Sequence, residues 1–84
     1  MEVVYSKLAK QDKSYWQKND PKIIKRIDNL IEAIKKNPHQ GIGKPEPLRF
    51  NKSGYWSRRI NREHRLVYKV HQNILYIVQC RYHH

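Results

Sequence analysis

A chain of 84 residues has room for one small domain with a thin core, since a domain of this size buries only about 60% of its unfolded surface. Its single cysteine excludes an internal disulfide, no apolar run approaches the length of a membrane span, and Met1 leads into an alternating segment rather than a secretory leader, so a cytosolic location is expected. The formal net charge of +11 implies a polyanionic partner: nucleic acid, an anionic membrane surface or an acidic protein.

Residues 2–6, EVVYS, read as a short strand, with Val4 and Ser6 on one side and Val3 and Tyr5 on the other. A first helix runs from about Lys7 to Asn19, with Leu8, Asp12, Tyr15 and Trp16 at helical spacing. Asn19-Asp20-Pro21 marks a boundary: Asp20 suits an N-cap and Pro21 the first helical position. In the second helix Ile23, Ile24, Ile27, Leu30, Ile31 and Ile34 form an apolar stripe. Lys35 and Lys36 complement the dipole of its last turn, and Asn37-Pro38 ends it.

The segment HQGIGKPEP is irregular, because Gly41, Gly43, Pro45 and Pro47 oppose regular structure. Glu46 stands between two prolines, which confine it to extended backbone. Leu48–Phe50 is expected as a short strand and Asn51–Gly54 as a turn. Tyr55–Ile60, Arg65–Val70 and Ile74–Arg81 then form an antiparallel meander. Alternation places Trp56, Arg58 and Ile60 on one face, with Leu66, Tyr68 and Val70 as their counterparts. If the helices cover that face, Arg59 and Arg65 share the open one, provided that an odd number of residues connects their strands. Continued alternation adds Arg81 and His83 to the open face. Arg58 falls on the covered side and is expected to pair with Asp28 or Glu32, or to snorkel out at an edge. The expected fold class is α+β: two N-terminal helices packed on one face of a small, mainly antiparallel sheet across residues 1–84, without internal repeats.

Charge and residue type change along the chain. Residues 1–40 carry nine basic and five acidic side chains, and residues 41–84 nine basic and two acidic, for nets of +4 and +7. Six of the seven arginines lie in the second part, where their planar forks suit phosphate. Lys44, Arg49, Arg59, Arg65 and Arg81 are candidate phosphate ligands there, and Tyr55, Tyr82 and Trp56 candidate stacking platforms for bases. Metal-free RNA cleavage needs a base for the 2′-OH proton, an acid for the leaving 5′-oxygen and cations for the phosphorane. Glu46, His83 and the arginines supply those chemistries. A structural ion pair is the simpler reading of Glu46, and a frayed terminus that of His83. No HxxxH or CxxC pattern points to a metal site, and no cofactor is expected. Cys80, inside an apolar run, reads as a buried thiol in a reducing compartment.

GKPEPL at 43–48, SGYWSRRI at 53–60, EHRLVY at 63–68 and CRYHH at 80–84 closely resemble the YoeB toxins of the RelE/ParE superfamily, and YWQKND at 15–20 fits the same family. The resemblance implies a RelE-like microbial RNase fold and a bacterial cytoplasmic endoribonuclease. Such an enzyme works on the ribosome, cuts messenger RNA in the decoding site and arrests translation. By resemblance Glu46 is the general base, Arg65 the transition-state arginine and His83 the general acid. Arg59 and Arg49 match basic positions on the same surface, where lysine can replace Arg49. The family usually ends its site with tyrosine; here that position is His84. The implied partners are ribosome-bound mRNA with its ribosomal RNA surroundings, an acidic YefM-like antitoxin whose arm covers the site, and a second toxin copy; no membrane is implied. Two alternatives are a non-catalytic translation blocker bound to RNA or the ribosome, and a ParE-like gyrase poison.

Overall fold

The computed structural model of the chain describes residues 1–49 and 54–82. Strand β1 (Glu2–Tyr5) turns Val3 and Tyr5 toward the core and leaves Val4 exposed. Ser6 then caps α1 (Lys7–Asn19): its Oγ accepts the Ala9 N–H at 3.0 Å and donates to the Val78 carbonyl at 2.6 Å. The buried stripe of α1 is Ala9, Asp12 and Trp16. Leu8, expected on the same face as Asp12, is half exposed, because the inward positions run back from Asp12 to Ala9.

Helix α2 (Pro21–Lys36) buries Ile27, Leu30, Ile31 and Ile34 against the sheet, as its periodicity requires. Asp20 occupies the N-cap position but makes no side-chain capping hydrogen bond; its carbonyl accepts the Ile23 N–H at 3.0 Å, and Pro21 has no N–H to cap. Asn37 closes the helix through its N–H to the Ala33 carbonyl.

The remaining strands are β2 (Glu46–Pro47), β3 (Tyr55–Arg59), β4 (Arg65–His71) and β5 (Ile74–Gln79). The sheet order is β1-β5-β4-β3-β2, with β1 parallel to β5 and every other pairing antiparallel. The fold class is therefore the expected one. Arg59 faces Arg65 directly across the β3–β4 ladder, joined by five residues, the odd number that the shared face demands.

Two strand boundaries differ from the sequence reading. The edge strand is Glu46–Pro47 rather than Leu48–Phe50; of the latter, Leu48 and Arg49 follow the strand and Phe50 lies outside the described residues, as do Asn51–Ser53 of the turn. Pro47 is tolerated because an edge strand needs hydrogen bonds on one side only. Strand β5 stops at Gln79, so alternation does not extend to Arg81.

The core lies between the helices and one sheet face and includes Trp16, Ile27, Leu30, Ile34, Leu66, Tyr68, Leu75, Ile77 and Cys80. Burial pushes the Cys80 thiol up to about 12, with Asp12 nearby adding to the rise.

Candidate active site

The uncovered sheet face carries Glu46, Arg59 and Arg65, three of the expected groups, in rows set by strand register. Glu46 pairs with Ser57 and Ser57 with Val67, placing these three side by side; the next row along β3 and β4 is Arg59 opposite Arg65. Arg65 reaches back from its row. Its Nε donates to Ser57 Oγ at 2.9 Å, and its Nη2 lies 2.8 Å from Glu46 Oε1. The Arg65 side chain is largely enclosed, at 14% exposure, whereas the carboxylate of Glu46 is open at 62%.

The pair is close in distance, yet among the described residues Nη2, itself buried, makes no directed hydrogen bond. Charge rather than a bidentate fork joins the two groups. Arg59, Lys44 and Arg49 are exposed around this pair. Next to the Ser57 row, Tyr55, Lys69 and Tyr76 line a groove of about 450 Å³ that Val4, Ser6 and His71 help to close. The Lys69 ammonium stands 5.1 Å from the centre of the Tyr55 ring.

The loop that leads to Glu46 is held by Arg58. Among the described residues the fully buried guanidinium of Arg58 bonds to no carboxylate: Nη2 donates to the carbonyls of Asn37 and Gln40 at 2.7 and 2.9 Å, Nη1 to that of Ile42 at 3.1 Å, and Nε to Tyr68 Oη at 3.1 Å. Tyr68 in turn donates to the Pro38 carbonyl at 2.6 Å. Burial raises the Tyr68 phenol above its ordinary value, against the opposing influence of Arg58, and this preserves its proton for that bond. The expected pairing of Arg58 with Asp28 or Glu32 is thus replaced. The carbonyls of the loop that arrives at Glu46 curl over the guanidinium and neutralise its donors more completely than one helix carboxylate can.

Gly43 makes that loop seat closely. At φ +86° its carbonyl accepts the Arg59 N–H at 2.6 Å, and an added Cβ would stand 2.8 Å from Leu30 Cδ2. Arg26 secures the far end of β3 by donating to the carbonyls of Arg59 and Ile60.

Arg81 departs from the expected face. Its guanidinium lies 3.4 Å from the ring centre of Tyr15 on α1 and 4.7 Å from that of Tyr82, so it does not join Arg59 and Arg65. Trp56, expected as core or platform, packs partly buried against the core and stacks with His39. Tyr82 is exposed. His83 and His84 lie outside the described residues. Sequence reasoning missed Ser57, which aims Arg65, and the loop-holding role of Arg58. The only signal for the latter was an arginine on a face otherwise apolar.

Residues 5–84 match the model of the YoeB-like toxins of bacterial type II toxin–antitoxin systems. The chain belongs to this family. It is 53% identical over 83 residues to a YoeB toxin of Synechocystis sp., covering 99% of this chain and 96% of that one. The fold agrees with that of the YoeB dimer from Staphylococcus aureus at a TM-score of 0.95 and 47% identity, covering 100% and 98% of the two chains. It agrees also with the toxin in a YoeB–YefM complex from the same organism, at 0.91 and 46% over the same shares. The protein is accordingly a toxin of the type II toxin–antitoxin class, and the open sheet face with Glu46 and Arg65 is its candidate active site.

Proposed function

We propose that this toxin is a ribosome-dependent endoribonuclease that cuts messenger RNA in the decoding site. The observation that carries the reading is the 2.8 Å approach of Glu46 to Arg65 on an exposed, arginine-rich sheet face. In this reading Glu46 takes the proton of the 2′-OH, whose oxygen attacks the adjacent phosphorus. Arg65, aimed by Ser57, holds the equatorial oxygens of the phosphorane, with Arg59 opposite it. The bond from phosphorus to the 5′-oxygen breaks, and His83 gives that oxygen a proton. The products are a 2′,3′-cyclic phosphate and a 5′-hydroxyl end. His84 stands where relatives usually carry tyrosine and assists at the leaving group. Arg49 and Lys44 bind the flanking backbone, and the side chains supply the whole acid–base chemistry.

The ion-pair reading of Glu46 is compatible with this geometry, because the same guanidinium that holds the carboxylate at rest can pass to the phosphate. Substrate phosphate then competes with Glu46 for Arg65 and frees the carboxylate to accept a proton.

The partner of the toxin at rest is an acidic, YefM-like antitoxin. The +11 charge calls for such a cover, and the Staphylococcus aureus relative forms a complex with YefM. A homodimer is the second expected assembly, in line with the dimeric relative. Among the described residues no helix is long and apolar enough to cross a membrane. A cytoplasmic site of action follows from the substrate.

Expression without antitoxin tests the reading. Wild type is expected to stop growth and leave discrete 5′-hydroxyl message ends on stalled ribosomes. Glu46→Ala is expected to abolish both effects. Arrest with intact messages would favour a blocker that acts by occupancy, and broken DNA a gyrase poison.

A further inference from the structure

The segment that follows β5 is fastened more tightly than a chain end needs to be. The N–H of Cys80 donates to Asp12 Oδ2 at 3.0 Å, and its carbonyl accepts the Trp16 indole N–H at 2.7 Å. Two residues on, the N–H of Tyr82 donates to His64 Nδ1 at 2.6 Å, and its carbonyl accepts the Arg65 N–H at 2.8 Å. Helix α1 thus clasps Cys80 at both backbone groups, and His64 with Arg65, at the entry to β4, clasps Tyr82 likewise. Between them Arg81 lies over Tyr15. Tyr82 is held at φ +64°, a left-handed conformation that is costly for a non-glycine residue and persists only where the surroundings enforce it.

Of these four fastenings, that from His64 is the one tied to a particular side-chain state. To accept the Tyr82 N–H, Nδ1 must carry no proton, so the ring is neutral with its proton on Nε2. The ring is also placed with care. Its backbone N–H and that of Glu63 donate to Asn61 Oδ1, its carbonyl accepts the Ile60 N–H at 2.9 Å, and its edge meets Trp16 with centroids 4.8 Å apart. The Tyr82 ring lies 5.7 Å from it, centroid to centroid, and Arg81 stands over that ring in turn.

We propose that His64 is a positioning residue: its neutral Nδ1 holds the Tyr82 backbone and so fixes the origin of the terminal dipeptide relative to Arg65. The inference rests on the endoribonuclease reading, which assigns the acid to His83. His64 itself touches no reacting atom. Tyr82 is bonded at its N–H to His64 and at its carbonyl to the Arg65 N–H, so the fold holds that residue beside Arg65.

Two substitutions separate the hydrogen bond from the packing. His64→Phe keeps a ring against Trp16 and Tyr82 but has no acceptor. His64→Asn loses the ring but places an amide oxygen near the position of Nδ1. With purified toxin and ribosomes programmed with a defined message, His64→Phe is expected to lower kcat by on the order of 10–100-fold with KM unchanged. His64→Asn is expected to retain most of kcat. Amide exchange at Tyr82, read by NMR on the free toxin, is expected to speed up in His64→Phe and to stay slow in His64→Asn. Unfolding midpoints verify that both variants fold. A His64→Phe variant that cuts as fast as wild type, or a His64→Asn variant as impaired as His64→Phe, overturns the proposal. Wild type that leaves messages intact overturns the endoribonuclease reading itself, and Glu46-dependent cutting unaffected by His64→Phe overturns only the role of His64.

Discussion

Arg58 shows how much one buried side chain organises. Its guanidinium bonds three loop carbonyls and a tyrosine, and its removal would strip all three carbonyls of that donor and leave Tyr68 only its bond to the Pro38 carbonyl. Arg58→Met is therefore expected to lower unfolding free energy by about 3–5 kcal/mol, read from the urea midpoint. Arg58→Lys is expected to recover little, since one ammonium cannot reach four oxygens fixed in a fork. Alternation correctly put Arg58 on the covered face. Its partners were not legible, because backbone carbonyls become acceptors only once the loop folds over them. Cys80 gives a second residue-level prediction, with a definite sign. The folded thiol titrates near 12, against an ordinary 9.0. Below pH 9 both states keep the proton and the contribution to stability is full. Between 9 and 12 only the unfolded state loses it, so stability falls by up to about 1.4 kcal/mol per pH unit from this group, before Tyr68 adds to the fall above 10. Urea titrations between pH 8 and 11 are expected to show the decline, and Cys80→Ser to remove the part that begins near 9.

At the scale of elements, α2 was the most legible, because six apolar residues at helical spacing, a proline at the start and Asn-Pro at the end all agree. The register of β3 against β4 was legible too: only an odd connection keeps Arg59 and Arg65 on the open face. Two boundaries were not. The prolines around Glu46 read as breakers, yet at a sheet edge one of them is accommodated. The apolar run through Cys80 reads as a continuing strand, yet Asp12 and Trp16 take the backbone groups of Cys80 and turn the chain toward α1. The loop between α2 and β2 depends on close approach at Gly43. Gly43→Ala forces a Cβ into Leu30 and Arg58 at positive φ. A loss of about 1–3 kcal/mol is expected in thermal or urea unfolding, with a drop in activity because Glu46 shifts with the loop.

For the whole molecule, the helices cover one sheet face and leave the other to a net charge of +11. On the endoribonuclease reading, association with an acidic antitoxin arm or with ribosomal RNA is expected to be governed by ion release. Affinity for programmed ribosomes is expected to fall steeply with added salt. Arg59→Ala and Arg49→Ala are each expected to reduce the log–log slope by about 1 if each meets one phosphate. The central claim is narrower than charge: Glu46 and Arg65 act together on one RNA linkage. Its most direct measurement is single-turnover cleavage of a defined message on programmed ribosomes by wild type, Glu46→Gln and Arg65→Ala, with binding measured in parallel. The account predicts 2′,3′-cyclic phosphate and 5′-hydroxyl ends from wild type, and a loss of on the order of 100-fold or more in each variant while Glu46→Gln still binds. Equal cleavage rates for wild type and Glu46→Gln would contradict it.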